Sequence, residues 1–219
     1  MPAAAEGARR ARRQLVAVAL WAAAFAFVEA AIVVYLRRIF HPEGFAFPLK
    51  PGAYDPILPV EVVREAATMV MLAAVGWLAG RRGWARFAYV MVAFGVWDIF
   101  YYVWLWAVLG WPPSLGTLDV LFLIPVVWVG PVWAPCVVSL GLIGCGAAVA
   151  LRVEGGGRFA FGPWGWALAV AAGLLIVLSF LWRGPEAMRG EMPGPYPWPV
   201  FWAGMLLGLG TFLWAWRRG

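Results

Sequence analysis

The chain has 219 residues, of which 64% are hydrophobic and only 13% charged, with a mean hydropathy of +0.81. Soluble domains carry about 25% charged residues, so a soluble globular fold is excluded and the bilayer is the expected partner. The formal net charge of +6 does not point to nucleic acid, because the basic residues sit mostly in short clusters flanking apolar runs, as membrane-orientation signals do.

Spanning structures must satisfy their backbone internally, which leaves helices or a closed barrel. Barrel strands alternate in polarity over ~10 residues, whereas the apolar runs here are long and continuous. The expected fold class is therefore an all-α polytopic membrane protein, a single domain over 1–219. The first 13 residues form a basic cytoplasmic N-terminus with Arg9, Arg10, Arg12 and Arg13. They lead into an apolar run from Leu15 to Leu36. A basic start followed by an apolar stretch also fits a signal peptide, but apolarity continues past the small residues at Ala22–Ala26, which favours an uncleaved first span. A loop over 37–58 follows, with four prolines and the sole histidine, His41.

Further spans are expected at 59–79, 84–109, 118–151, 163–182 and 198–216, each near or above the ~20 residues that cross a hydrocarbon core. The 118–151 segment is too long for one straight span and carries Pro125, Pro131 and Pro135. If it crosses once, eleven basic residues lie inside (Arg9, Arg10, Arg12, Arg13, Arg81, Arg82, Arg86, Arg152, Arg158, Arg217, Arg218) against five outside (Arg37, Arg38, Lys50, Arg183, Arg189). Crossing twice makes the split nine to seven, so the positive-inside rule favours one crossing. The expected architecture is a six-transmembrane-helix bundle, N-in/C-in, with 37–58 as an external loop and a fourth span that is long and broken by Pro/Gly. The expected location is the bacterial cytoplasmic (inner) membrane, multi-pass.

Glu29, Glu61, Arg64, Glu65, Asp98 and Asp119 lie within or at the edges of these spans. An intramembrane charge costs roughly 2.5–3.5 kcal/mol on insertion scales and marks a functional site by default. At 1.5 Å per residue, Glu29 lies ~22 Å and Asp98 ~21 Å above the cytoplasmic entries of their spans, and Glu65 lies about 9 Å below the outer entry. Glu29, Glu65, Asp98 and Asp119 thus converge in the outer third as candidate proton- or cation-binding residues. Asp98, Tyr101 and Tyr102 share a helical face by their spacing, as do Glu61, Glu65 and Thr68. Arg64 is the expected counter-ion, with Tyr101 and Tyr102 lining the cluster. Glu29 and Asp98 have no obvious partner on their own helices. Asp119 follows Thr117 at an expected helix start, where a short acidic residue caps free N–H groups.

One histidine excludes bis-His haem and disfavours a zinc or copper site, and no metal or cofactor is assigned. His41 is expected to be a solvated loop residue. There is no His-Glu-x-x-His, Gly-x-Ser-x-Gly or Walker A motif. Ser139, Cys136 and Cys145 have no histidine in reach to act as their base. What remains are carboxylates and tyrosines, which suit hard cations, protons or acid–base work.

Three functions fit: binding or transport of protons, cations or a small substrate; a membrane-embedded enzyme acting on a lipid or isoprenoid; or an accessory subunit of a larger membrane complex. Gly204-x-x-x-Gly208 is a close-packing signal, and 163–216 is read as scaffold or as a surface for a homo-oligomer or membrane-complex partner.

Overall fold

A computed structural model of the chain describes residues 2–50, 56–81 and 83–218. Among the described residues, six helices are long and apolar enough to cross a membrane. They fall within α1 (Pro2–Phe40), α2 (Leu58–Ala79), α3 (Gly83–Leu109), α4 (Trp133–Glu154), α5 (Pro163–Leu181) with the short α6 (Gly184–Met188) continuing beyond it, and α7 (Trp198–Arg218). The chain is an integral, multi-pass membrane protein built as a helical bundle.

At 1.5 Å per residue the 39 residues of α1 reach about 58 Å, well beyond a ~30 Å hydrocarbon core. The helix therefore takes in the basic N-terminal segment and, at its other end, Arg37 and Arg38, which the sequence assigns to the loop. Of that loop, 51–55 lies outside the described residues, including Pro51, as does Arg82 among the basic residues counted inside.

The fourth segment departs from expectation. Residues 118–131 are not the outer part of a long broken span but an antiparallel hairpin, β1 (Leu118–Phe122) and β2 (Trp128–Pro131), with Asp119 opposite Gly130 and an irregularity between Val120 and Phe122. The membrane-length helix begins only at Trp133 and has 22 residues. Short apolar runs suit a strand as well as a helix, and Pro125 removes an amide that a helix interior would need. The hairpin runs directly into α4, where Val132 N donates to Thr117 O at 3.0 Å and Trp133 N to Leu115 O at 2.9 Å.

α3 is the axis of the bundle, packed against α1, α2 and α4. Small residues bring these neighbours close: Ala22, Ala26 and Ala30 of α1 are buried, and so are Ala85, Ala88 and Ala93 of α3. At Gly95 a Cβ would lie 2.6 Å from the Ser139 carbonyl oxygen, so only glycine admits α4 there. That contact seats Ser139 beside Asp98, three residues on from Gly95 and on the same face.

α5 and α7 form a second packed pair. A Cβ at Gly204 would lie 2.9 Å from the Ala172 carbonyl oxygen, so the GxxxG face is occupied within the chain, between these two helices. Trp133 and Trp198 stack with centroids 4.2 Å apart, joining α4 to α7 at the hairpin end. Cys136 and Cys145 are both free.

Candidate functional site

The C-terminal ends of α1 and α3, the N-terminal end of α2 and the hairpin enclose a cavity of about 280 Å³. The expected proton- or cation-binding residues Glu29, Glu65, Asp98 and Asp119 line it, as do their expected supports Arg64, Tyr101 and Tyr102. Glu61, Thr68, Arg37 and Lys50 also line it, and so do the rings of Phe45, Trp97 and Phe122.

Glu29 is not without a partner. One of its oxygens pairs with Arg64 Nη1, and the other accepts a hydrogen bond from the Thr68 hydroxyl at 3.1 Å. A partner on α2 cannot be read from the helical spacing of α1, which is why the sequence left Glu29 alone. Arg64 turns its Nε and Nη2 to Glu61 Oε2, at 3.0 and 2.9 Å. Arg64 therefore bridges α1 and the first turns of α2 between two carboxylates.

Asp119 is a strand residue rather than a helix cap. Its side chain is 2% exposed, with Oδ1 3.2 Å from Arg37 Nη2, and Oδ2 accepts a hydrogen bond from the Tyr102 hydroxyl at 3.2 Å. Burial pushes the Asp119 carboxyl up to about 6, against the opposing pull of the Arg37 charge and the Tyr102 hydroxyl. The Arg37 guanidinium also lies over the Trp111 ring, 3.6 Å from its centroid, and over Phe45 at 4.4 Å. It is held by cation–π contact as well as by its ion pair.

Glu65 and Asp98 are different. Glu65 Oε2 accepts the backbone N–H of Leu123 at 2.9 Å, and Asp98 Oδ2 accepts the Ser139 hydroxyl at 2.8 Å. Neither forms an ion pair among the described residues, and the second oxygen of each accepts no hydrogen bond there. Lining the cavity are five carboxylates against Arg37, Arg64 and Lys50. Arg37 is matched by Asp119 and Arg64 by Glu29 and Glu61, while Lys50 faces Glu43 at 3.8 Å, outside the lining.

His41 is buried rather than solvated. Its ring meets Phe45 edge-on at 5.4 Å, and its backbone N–H donates to Arg37 O at 2.8 Å. Burial first, then the charges of Arg37 and Lys50, hold its pKa below the ordinary 6.5.

Sequence reasoning passed over Arg37, Ser139 and the partner role of Thr68. Arg37 counted only as a flanking charge, although it lies one turn beyond Val33 at the end of an apolar helix. In the sequence Ser139 reads as a nucleophile lacking a base rather than as a hydrogen-bond donor, yet it is the sole hydroxyl residue of α4, which is itself a signal.

Among the described residues, no three His, Cys, Asp or Glu side chains are grouped so as to hold a metal ion. The carboxylates ring the cavity, each accepting from at least one donor, with Arg64 shared between Glu29 and Glu61. The chain matches no protein-family model, no curated protein and no solved structure.

Proposed function

We propose that this membrane protein binds protons or a cationic small substrate in the cavity between α1, α2, α3 and the hairpin, and moves them toward or across the bilayer. The observation that carries this reading is the pair Asp98 and Glu65. Both are buried, both line the cavity, and both accept hydrogen bonds from neutral donors without forming an ion pair among the described residues. A carboxylate kept at membrane depth without a counter-ion is costly, and binding a proton or a cation removes that cost. The bias of basic residues toward the side of the N- and C-termini supports an orientation with the cavity toward the outer face of a bacterial cytoplasmic membrane.

The test is ion movement in proteoliposomes that contain a pH indicator, with proton gradients and cation pulses applied from outside. Asp98→Asn keeps the size of the side chain and an oxygen for the Ser139 hydroxyl but cannot bind a proton. It should reduce flux at least tenfold, whereas Glu191→Gln, at an exposed pair with Arg189, should leave it unchanged. Equal flux through wild type and Asp98→Asn would refute the reading and favour either a lipid-directed enzyme or an accessory subunit. Product analysis after incubation with isoprenoid and phospholipid substrates separates those two.

A further inference from the structure

Resting on that reading, we infer that the cationic ligand of the cavity is a small organic ammonium ion rather than a metal ion. A cavity of about 280 Å³ lies near the ~300 Å³ lower end of small-molecule sites and far above the ~10–15 Å³ that admits one water. Hard metal cations need six or more oxygens at short range for calcium, or a near-ideal octahedron for magnesium. The carboxylates here do not supply this, since no three acidic, Cys or His groups come together among the described residues.

The walls supply what an ammonium ion needs instead. Trp97 and Tyr101 stack with centroids 6.4 Å apart, and Phe122 lies 6.3 Å from Trp97, so three adjacent rings form an aromatic face beside Asp98. Aromatic faces attract cations, more strongly when desolvated, and the attraction of aromatic cages for quaternary ammonium groups is the best-known functional use. The molecule already shows this chemistry at the same cavity, where the Arg37 guanidinium sits over Trp111 and Phe45. Asp98 and Glu65, on adjacent helices, add negative charge that no residue of the cavity neutralises by an ion pair. Arg37 and Arg64 are both engaged by carboxylates, and Lys50, the third cation of the lining, faces Glu43 at 3.8 Å. One delocalised positive charge with an apolar body satisfies both the carboxylates and the rings.

The experiment is calorimetric titration of purified, detergent-solubilised full-length protein with tetramethylammonium, butylammonium, sodium, potassium, calcium and magnesium chlorides. The expected result is saturable binding of the two ammonium ions, abolished by Asp98→Asn. Trp97→Leu should weaken it at least tenfold, and Trp97→Phe, which keeps an aromatic face, by no more than threefold. Trp97 also packs in the core, so each variant's melting temperature and elution profile are compared first. If Trp97→Leu fails to fold, Tyr101→Leu takes its place with the same expected weakening. Binding of inorganic cations alone would overturn the inference while leaving a cation site in place. Absence of binding by every ion, with proton flux still abolished by Asp98→Asn, would overturn it in favour of a proton-only site. Loss of both the binding and the Asp98 dependence would bring down the inference and the proposed function together.

Discussion

The two halves of this bundle solve helix packing in opposite ways. α5 and α7 meet through Gly204, with the Ala172 backbone close against it, and Ser179 of α5 shares a neutral hydrogen bond at 2.8 Å with Tyr196, two residues before α7. No ionisable side chain is needed within their contact. The ends of α1, α2 and α3 at the cavity instead carry Glu29, Arg37, Glu61, Arg64, Glu65 and Asp98, all half-buried or buried. Small residues and van der Waals packing suffice to associate helices in lipid, and the same chain demonstrates it at α5 and α7. Even α1 and α3 use that solution deeper down, where Ala22 and Ala26 are fully buried. Helices of this chain can therefore associate by packing alone, and the charges at the cavity end come in addition to it. All six line one cavity, which sets this end of the bundle apart from α5 and α7.

The sharpest way to break this contrast is at Arg64. Glu29→Gln leaves Arg64 with Glu61 alone, and removing one partner of a buried ion pair typically costs about 3–5 kcal/mol. A drop of that size should appear as early unfolding in detergent, measured by the thermal loss of monodisperse protein. If the pair is not structural glue, Glu29→Gln combined with Arg64→Met should recover most of the stability, because a well-packed apolar replacement of a buried pair is often neutral or better. Cation binding should not return with it, since Arg64→Met also alters the wall of the cavity. Recovery of stability and binding together would mean that the pair contributes nothing to the site.

A smaller effect is expected in the scaffold. Gly204→Val places a Cβ 2.8 Å from Ile176 Cγ1 and 2.9 Å from the Ala172 carbonyl oxygen. Overpacking of this kind costs about 1–3 kcal/mol. Melting in detergent should fall accordingly, while ligand affinity measured on the folded fraction stays at the wild-type value. A loss of affinity greater than the loss of folded protein would show that α5 and α7 couple to the cavity.

The contrast also explains what the sequence could reveal. Six spans were legible because each is a long apolar run, and hydropathy alone separates such runs from the basic segments between them. The convergence of Glu29, Glu65 and Asp98 was legible as well, since depth along a helix follows from counting residues. The hairpin was not. Leu118–Phe122 is a short apolar run, and its pairing with Trp128–Pro131 depends on how Asp119 and Glu65 engage the rest of the fold. Partnerships between elements were equally hidden. Nothing local to Arg37 announces Asp119, 82 positions away, and nothing local to Ser139 announces Asp98. Such pairs are set by which helices become neighbours, and that follows from side-chain packing, which one sequence does not display.

The smallest effects compare two tyrosines, one in each region. Tyr196→Phe removes the bond to Ser179, and a neutral hydrogen bond contributes about 1 kcal/mol. Its consequence should be confined to a slight fall in melting temperature. Tyr102→Phe also removes a single hydroxyl, yet that hydroxyl donates to Asp119 and helps to hold its carboxyl from rising further than about 6. Without it the Asp119 titration should move higher, readable as a shift in the pH at which its protonated carboxyl band appears in infrared difference spectra. The sign of the stability effect follows from linkage. A carboxyl whose pKa is higher in the folded protein than in the unfolded chain binds more protons when folded, so its contribution to stability falls as pH rises from about 4 to about 6. In Tyr102→Phe that decline should extend to higher pH, and the hairpin, tied to α1 through Arg37 and Asp119, should exchange its amides faster above the window than in wild type. An unchanged carboxyl titration, with only the melting temperature lowered, would place Tyr102 with Tyr196 as a packing residue and narrow the site to Asp98, Glu65 and the aromatic wall.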